Sequence, residues 1–256
     1  MREARTTVAD RTLDLLEAVR AERTASLPTI ATRCGLPLPT VHRLARILSD
    51  RGYLIAYRRG AYGLGPAALT LADGPSLHDM LRQVGASALP ALARRCGTHV
   101  HLGVYEGDMV TYLAKARFGR NKLPTAEGTQ LEAYCSGIGK VLLAQLDEAA
   151  LDRYLTQGVF VALTDNTVTD PAKLKALVGE VRSRGWGTDF GEVMTDLYCI
   201  AVPLKDDEGR GVAALSASFR GVSITEAALT GALPKLQAAA ELITAKLWPV
   251  RRALAG

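Results

Sequence analysis

The stretch GLPLPTVHRLARILSDRGYL, residues 35–54, combines a turn, a helix and the start of a strand. Its apolar residues Val41, Leu44, Ile47 and Leu48 follow a helical repeat and predict the buried face of that helix. A helix that only packs would scatter its polar groups over the solvent face. Here a proline begins the helix and polar side chains gather in its first two turns, giving a front composed of Pro39, Thr40, His42, Arg43 and Arg46. This concentration indicates that the helix meets a binding partner.

The segments on either side of this helix predict a winged helix-turn-helix. TVADRTLDLLEAVRAE has apolar residues at helical spacing, and LPTIATRCG predicts a short helix with Thr29 as its N-cap and Gly35 as its C-terminal stop. YLIAYRRGAYGLG then predicts two short strands around the turn of residues 58–60. In a helix-turn-helix the second helix enters the major groove of DNA with its N-terminal residues first.

The predicted partner is therefore double-stranded DNA. Arginine can contact guanine O6 and N7 with two hydrogen bonds, whereas threonine and histidine are less selective among bases. The two arginines at the hairpin tip suit the sugar-phosphate backbone or the minor groove. The predicted DNA-binding residues are Pro39, Thr40, His42, Arg43, Arg46, Arg58 and Arg59. The alternative is a small helical domain with a solvated basic face.

The distribution of charge agrees with a polyanionic partner for the first third of the chain. The formal net charge is +5. Residues 1–75 carry eleven arginines and seven acidic residues, an excess of four, whereas residues 76–256 carry twenty basic and nineteen acidic residues, an excess of one. Excess positive charge confined to one domain is typical of nucleic-acid binding, although many solvated faces reach the same balance.

Length and composition indicate an ordinary globular protein. The chain has 256 residues, enough for one large domain or two smaller ones, with 48% hydrophobic and 22% charged residues. We find no signal-peptide pattern and no apolar run near the ~20 residues that span a bilayer. The four cysteines form no Cys-x-x-Cys pair, which favours reduced thiols. We expect a cytoplasmic protein without membrane association and without a cofactor.

The second part of the chain predicts an α+β domain with mainly antiparallel strands. Ser76 is expected to cap a linker helix that Pro90 restarts or kinks. THVHLGVYEGDMVTYLAKA and LYCIAVPLKDDEGRGVAALSASFR alternate with a period of two and predict hairpins, whereas TDPAKLKALVGEVRSRGW predicts a helix capped by Thr169 or Asp170. The tail from Glu226 to Leu247 is expected to be helical apart from Pro234.

Three local patterns suggest chemistry, and each has a plainer alternative. Cys96, His99 and His101 have metal-ligand spacing but no fourth ligand nearby, so packed or solvent-facing histidines are the alternative. Cys135 or Cys199 with a histidine would form a nucleophilic pair, against which a packed or ligand-facing thiol is favoured. The sequence SGIGK enters a helix but lacks the length and the Ser/Thr of a phosphate loop. Its helix start can still hold a small carboxylate, and purely structural glycines are the alternative.

The whole chain resembles the IclR family of bacterial transcriptional regulators. The resemblance is carried by GLPLPTVHRLARILSDRGYL and YGLGPAALTLA in the first part, and by HVHLGVYEGDMVTYLAK, CSGIGKVLLAQL, DPAKLKALVGEVRSRGW and IAVPLKDDEGRGVAALSAS in the second. It implies a winged helix-turn-helix domain in residues 1–66, a linker helix region in residues 67–97, and a GAF-like α/β effector-binding domain with an antiparallel sheet in residues 98–256. It also implies a homodimer or homotetramer on operator DNA, and a small organic acid or aromatic metabolite as effector.

The resemblance also implies the members of an effector pocket. Carried over residue by residue, they are Leu123, Leu131, Gly137, Ile138, Asp189, Leu197, Cys199, Ser216 and Ser218. Two departures from the family pattern concern the ligand. Glu132 stands near the usual proline with no arginine before it, and Asp196, Leu197 and Tyr198 replace a usual Gly-Val-Arg. The loss of positive charge weakens the case for a dianionic acid and leaves a phenolic, amide-like or other weakly charged ligand open.

We therefore predict a ligand-responsive transcriptional regulator, either a repressor or an activator, without catalytic activity. The alternative is a metabolite-processing enzyme that uses a pocket thiol and carries the N-terminal domain as an adaptor.

Overall fold

The computed structural model describes residues 7–71, 73–120, 123, 125–221 and 224–249. The chain divides into two compact units, with the boundary between Pro75 and Ser76. Within the described residues, no helix has both the length and the apolar character needed to cross a membrane.

The N-terminal unit is a helical cluster with a small antiparallel sheet. Its elements in the described residues are α1 Val8–Glu22, β1 Ala25–Ser26, α2 Leu27–Cys34, α3 Leu38–Asp50, β2 Leu54–Ala56, β3 Ala61–Leu64 and α4 Pro66–Thr70. The strands are ordered β1-β3-β2. Leu15, Ile30 and Leu44, from the first three helices, are almost completely buried in one core. This is the predicted winged helix-turn-helix arrangement.

The turn between α2 and α3 follows the sequence signals with one correction. Gly35 ends α2 with φ 61°, in the left-handed conformation that glycine adopts without strain. The N-cap of α2 is Ser26, whose hydroxyl accepts a hydrogen bond from the Thr29 N–H at 3.3 Å, so the prediction of Thr29 as the N-cap is wrong. Serine three residues before that N–H is the ordinary capping position.

The buried face of α3 differs from the prediction at one residue. Val41, Leu44, Ala45 and Leu48 are buried, whereas Ile47 is 43% exposed. Residues 41, 44, 45 and 48 share one face of a helix with 3.6 residues per turn, and a residue six positions after Val41 lies roughly 120° away from it. Ile47 therefore belongs to the exposed face together with Arg43, and its predicted burial is wrong.

The C-terminal unit is a six-stranded antiparallel sheet with helices on both faces. Its strands in the described residues are β4 His99–Glu106, β5 Met109–Ala116, β6 Gln130–Glu132, β7 Gly187–Phe190, β8 Leu197–Lys205 and β9 Gly211–Arg220. They are ordered β6-β5-β4-β9-β8-β7. Its helices are α5 Leu77–Cys96, α6 Gly137–Leu143, α7 Glu148–Gln157, α8 Pro171–Arg184, α9 Glu226–Thr230 and α10 Leu233–Leu247.

Alternation along the strands divides the apolar residues between two cores. Ile200, Val202 and Leu204 of β8 face a core that includes residues of α5 and α10, whereas Ala201 faces a second core that includes residues of α6 and α8. Successive side chains of a strand point to opposite faces, so one strand serves both cores. The candidate pocket lies on the α6 side of the sheet.

Several helix boundaries depart from the sequence expectations. α5 continues through Pro90, so the helix does not restart there. Pro234 lies in the first turn of α10, where its missing N–H costs nothing, and the tail is interrupted before it, between α9 and α10. Asp170 is the N-cap of α8, which decides between the two predicted caps. The short helix α7 was not predicted at all.

Candidate functional site

The polar front of α3 forms one exposed face. Pro39, His42, Arg43 and Arg46 are exposed and follow the spacing of a helical stripe, while Thr40 at the edge of the stripe is half-buried. The Arg46 Nε lies 3.9 Å from Asp50 Oδ2, but the Arg46 side chain is 85% exposed, so this pair holds it weakly. The face can therefore offer its cationic and hydrogen-bonding groups to a polyanion.

The hairpin tip presents two further arginines to solvent. Arg58 and Arg59 are exposed in a single turn of 3-10 helix between β2 and β3. Arg59 and Gly60 have φ of 64° and 71°, which gives the chain the tight reversal that brings the strands together. Ala56 then pairs with Tyr62 across the turn. The reversal keeps the two guanidinium groups adjacent at the end of the hairpin.

The nine candidate effector residues line one cavity in the C-terminal unit. The space between the lining residues is about 490 Å³, including the part that is open to solvent. The nine are Leu123, Leu131, Gly137, Ile138, Asp189, Leu197, Cys199, Ser216 and Ser218. Six lining residues were missed by the sequence reasoning, namely His101, Tyr112, Thr125, Ser136, Val193 and Met194.

Strand register brings the polar residues of this cavity together. Asp189 lies opposite Cys199 in β7 and β8, and Cys199 lies opposite Ser218 in β8 and β9. Ser216 lies opposite His101 in β9 and β4. Residues directly opposite each other in antiparallel strands share a face of the sheet. The alternation in HVHLGVYE was the signal that could have placed His101 beside the two serines.

A chain of hydrogen bonds crosses the polar wall of the cavity. The Cys199 thiol donates to Ser218 Oγ at 3.2 Å, and Ser218 Oγ lies 3.4 Å from His101 Nδ1. His101 Nε2 lies 3.0 Å from Thr125 Oγ1, which also accepts from Lys115 Nζ at 2.6 Å. Burial lowers the pKa of His101 to about 3, and the charge of Lys115 acts in the same direction. His101 is therefore neutral at physiological pH.

The start of α6 packs tightly against the sheet. A Cβ on Gly137 would lie 3.2 Å from the Asp189 nitrogen, and one on Gly139 would lie 2.1 Å from the Ala133 oxygen. Close packing thus accounts for both glycines, in agreement with the alternative that they have a structural role. Lys140, the last residue of the SGIGK stretch, is buried in an ion pair with Glu192 and donates to the Thr188 carbonyl at 3.1 Å. Its ammonium group is therefore already paired within the protein.

The carboxyl of Asp189 is a buried part of the cavity lining. The side chain is completely buried, and its Oδ1 accepts a hydrogen bond from the Glu192 N–H at 2.7 Å. Its Oδ2 has no hydrogen-bond partner in the described part of the chain. Burial raises the pKa of Asp189 to about 7, and the negative charge of Glu192 acts in the same direction, whereas the Glu192 N–H, Lys140 and the Val193 N–H act against it.

The nucleophile and metal interpretations find little support in the geometry. Burial raises the pKa of the Cys135 thiol to about 12, and burial also raises the pKa of Cys199, so neither thiol is a ready thiolate. Among the described residues, no group of three His, Cys, Asp or Glu side chains is placed to hold a metal ion. His99 is buried on β4, where its Nδ1 accepts from the Phe118 N–H at 3.3 Å.

Comparison with known proteins now decides the family. Residues 76–245 match the family described as "Bacterial transcriptional regulator IclR C-terminal", and residues 8–55 match the "IclR helix-turn-helix domain". The chain belongs to the IclR family. The predicted recognition is thereby confirmed over most of both units, together with the α+β fold and the N-terminal helix-turn-helix.

Individual relatives agree with the family assignment. The HTH-type transcriptional regulator BhcR of Paracoccus denitrificans is 30% identical over 223 residues, covering 86% of this chain and 80% of the relative. An IclR homologue from Microbacterium hydrocarbonoxydans, solved with 4-hydroxybenzoate, is 25% identical, with a TM-score of 0.62 over 94% of this chain and 99% of that one. A putative IclR regulator from Silicibacter sp. TM1040 shares the fold, with 24% identity and a TM-score of 0.69 over 98% of this chain and 100% of that one.

The IclR assignment also bears on the enzyme alternative. The matching families and the curated relatives are transcriptional regulators and not enzymes. Together with the buried, protonated thiols, this makes a transcriptional regulator the established class for the chain.

Proposed function

We propose that this IclR-family regulator binds operator DNA through α3 and the β2–β3 hairpin, and that a small organic molecule in the C-terminal cavity changes its affinity for DNA. The carrying observation is that all nine residues assigned to the pocket by family resemblance line a single cavity. Apolar walls with a few convergent polar groups are the general form of a metabolite site. A relative bound to 4-hydroxybenzoate supports an aromatic or organic-acid effector.

We also propose the domain bounds, the cellular location and the oligomeric state of the protein. We keep the division into residues 1–66, 67–97 and 98–256, with α5 in the linker region, and we place the protein in the cytoplasm with its DNA. A homodimer or homotetramer is proposed because one winged module reads only a few base pairs, so two half-sites are the usual route to specificity. Exposed Val8 and Leu13 leave apolar surface on α1 that suits such a contact. Light scattering of the full chain distinguishes these oligomers.

For DNA recognition we expect Arg43→Ala to weaken binding to a specific duplex by about 1–3 kcal/mol, since a bidentate contact to a base is worth that much. Arg43 is exposed on the α3 stripe, where it would meet the major groove. The duplex is first selected from a randomised pool with the unaltered protein, and affinity is then measured by gel-shift titration.

Two variants control this measurement. Removing Arg58 and Arg59 together should lower affinity for all sequences and flatten the salt dependence, because phosphate contacts release counterions irrespective of sequence. Arg51→Ala makes the same change at the exposed C-terminal end of α3 and should leave specificity intact. Unchanged affinity of Arg43→Ala for the selected duplex would show that α3 is not the recognition helix.

For the effector site we expect Ser216→Ala to weaken the response to ligand while DNA binding without ligand stays nearly the same. The Ser216 hydroxyl lines the cavity and makes no hydrogen bond within the described part of the chain, so its removal costs the fold little. A typical coupling of about 1–3 kcal/mol changes DNA affinity roughly 5–150-fold. The test repeats the gel-shift titration with and without 4-hydroxybenzoate and related acids. A variant that keeps the full response would remove Ser216 from the site.

A further inference from the structure

The cavity contains a buried hydrogen-bond acceptor that the protein itself does not satisfy. Asp189 lines the cavity and is completely buried. One carboxyl oxygen accepts from the Glu192 N–H, but Oδ2 has no partner among the described residues. A buried polar atom without a partner is costly, and native structures contain few of them. In a cavity, a group of the occupant can complete the hydrogen bonding of such an atom.

The charged donors near the cavity are already engaged elsewhere. Lys140 Nζ is held by Glu192 and by the Thr188 carbonyl. Lys115 Nζ donates to Thr125, and His101 lies between Ser218 and Thr125 in the hydrogen-bond chain. The described residues that line the cavity include no lysine or arginine. The hydroxyls of Ser216 and Tyr112 also line the cavity, but neither forms a hydrogen bond with Oδ2. The occupant of the cavity is therefore left to supply the donor.

The charge state of Asp189 is finely balanced by its surroundings. Burial from water favours the protonated carboxyl, and the negative charge of Glu192 acts the same way, whereas the Glu192 N–H, Lys140 and the Val193 N–H favour the ionised form. The other titratable groups that bear on this site are Cys135, Cys199 and Tyr112, whose own pKa values are raised by burial, so all three are neutral near pH 7. The result is a carboxyl with a pKa of about 7.

We propose that the effector presents a hydroxyl or N–H group to Oδ2 of Asp189, which makes it a hydroxylated or amide-bearing compound and not a simple unsubstituted carboxylic acid. The proposal rests on the proposed function, in that the cavity is taken as the effector site. A hydrogen-bond donor stabilises the ionised carboxylate, so a protonated Asp189 releases its proton to solvent when the ligand binds. Affinity should then rise with pH up to about 7 and level off above it.

A ligand that places a carboxylate at Asp189 would have the opposite pH dependence of affinity. A ligand carboxylate placed at Asp189 requires the protonated carboxyl as its donor, so such a ligand takes up a proton and binds more tightly as the pH falls. The direction of the pH dependence therefore separates the two chemistries. It does so for any compound that binds in the cavity, whichever molecule is the natural effector.

The test is calorimetric titration of the full chain with two matched pairs, 4-hydroxybenzoate against 4-fluorobenzoate and lactate against propionate. Each pair keeps its carboxylate and differs in the hydroxyl. We expect a hydroxylated member to bind about tenfold or more tightly than its mate, the factor for one hydrogen bond to a charged group. Its affinity should rise about tenfold from roughly pH 6 to pH 8, a window in which carboxylic acids and phenols of ordinary pKa do not titrate appreciably.

Two variants complete the test. Asp189→Asn keeps the shape of the side chain and should abolish the pH dependence, whereas Asp152→Asn, an exposed aspartate paired with Lys175 in the same unit, should keep it. Equal binding within both pairs, or tighter binding at lower pH, would overturn the donor proposal and leave the effector site standing. Absence of binding by all four compounds would instead contradict the effector site itself.

Discussion

Replacing Lys140 with methionine is expected to lower the free energy of unfolding of the C-terminal unit by about 3–5 kcal/mol, because it leaves a buried carboxylate without its partner. The side chains of Lys140 and Glu192 are only 6% and 9% exposed. Burial already raises the pKa of Glu192 even with Lys140 beside it. Without the ammonium group, the carboxylate must be protonated or drawn towards water.

The measurement is urea unfolding of the full chain followed by tryptophan fluorescence. Both tryptophans of the sequence, Trp186 and Trp248, belong to the C-terminal unit, so the signal reports that unit and not the DNA-binding unit. The loss should be smaller at acid pH, where Glu192 is protonated at little cost. This pH dependence separates an unpaired charge from a simple packing defect.

Two control variants isolate the ion pair. Lys140→Met combined with Glu192→Gln should recover most of the lost stability, because no charge is then left buried. Lys175→Met removes the same side chain from an exposed pair with Asp152, which water screens, and should have a much smaller effect. If Lys140→Met were no more destabilising than Lys175→Met, the pair with Glu192 would not be buried as described.

The ion pair also matters for the cavity. Lys140 lies in α6, which begins at the candidate pocket residues Gly137 and Ile138, and Glu192 follows the strand that carries Asp189. The Glu192 N–H holds one oxygen of Asp189 at 2.7 Å. The pair therefore ties together two walls of the cavity. Loss of Lys140 is expected to loosen the position of Asp189 as well as to destabilise the unit.

Local signals account for the parts of the fold that the sequence predicted well. Gly35 after an apolar repeat ended α2, and alternating apolar residues marked the strands β4, β5, β8 and β9. These features depend on backbone preferences and on a face that must be buried. The two wrong predictions in the N-terminal unit concern neighbouring residues that compete for the same position in a helix cap or on a helix face. Ser26 displaced Thr29 as the N-cap, and Ile47 fell on the exposed face because it lies roughly 120° around α3 from Val41.

Which residues line the candidate site depends on contacts between residues distant in sequence, and a local sequence pattern does not show such contacts. Family resemblance supplied nine lining residues, but His101, Tyr112 and Thr125 reach the cavity through the register of strands and a loop distant in sequence. Lys140 and Glu192 are likewise brought together only by the packing of α6 against the sheet. A sequence pattern shows which residue types are present, whereas pairing across the sheet decides which of them become neighbours.

A large effect of pH on stability is expected at Asp189. Its folded pKa of about 7 lies above the ordinary value of 3.8, so its contribution to stability is fully present below about pH 4 and is lost as the pH rises through 7. At about 1.4 kcal/mol per pKa unit, the cost of keeping the ionised carboxyl buried is at most about 4 kcal/mol. The cavity thus holds a charge that is unfavourable until a donor reaches it.

Asp189→Asn removes this titration, so its stability relative to the unaltered protein should increase by about 2–3 kcal/mol between roughly pH 5 and pH 8. Urea unfolding followed by tryptophan fluorescence measures the difference, and any fixed cost of the amide cancels in the comparison of pH values. Asp79→Asn is a control of opposite sign, because the Ser76 hydroxyl lowers the pKa of Asp79, and this variant should lose stability relative to the unaltered protein as the pH rises. A flat difference for Asp189→Asn would mean that its carboxyl reaches water or a donor already present in the protein. A rising one would show that the protein without ligand carries an energetic cost at Asp189, the cost that the proposed hydrogen bond from an effector would relieve.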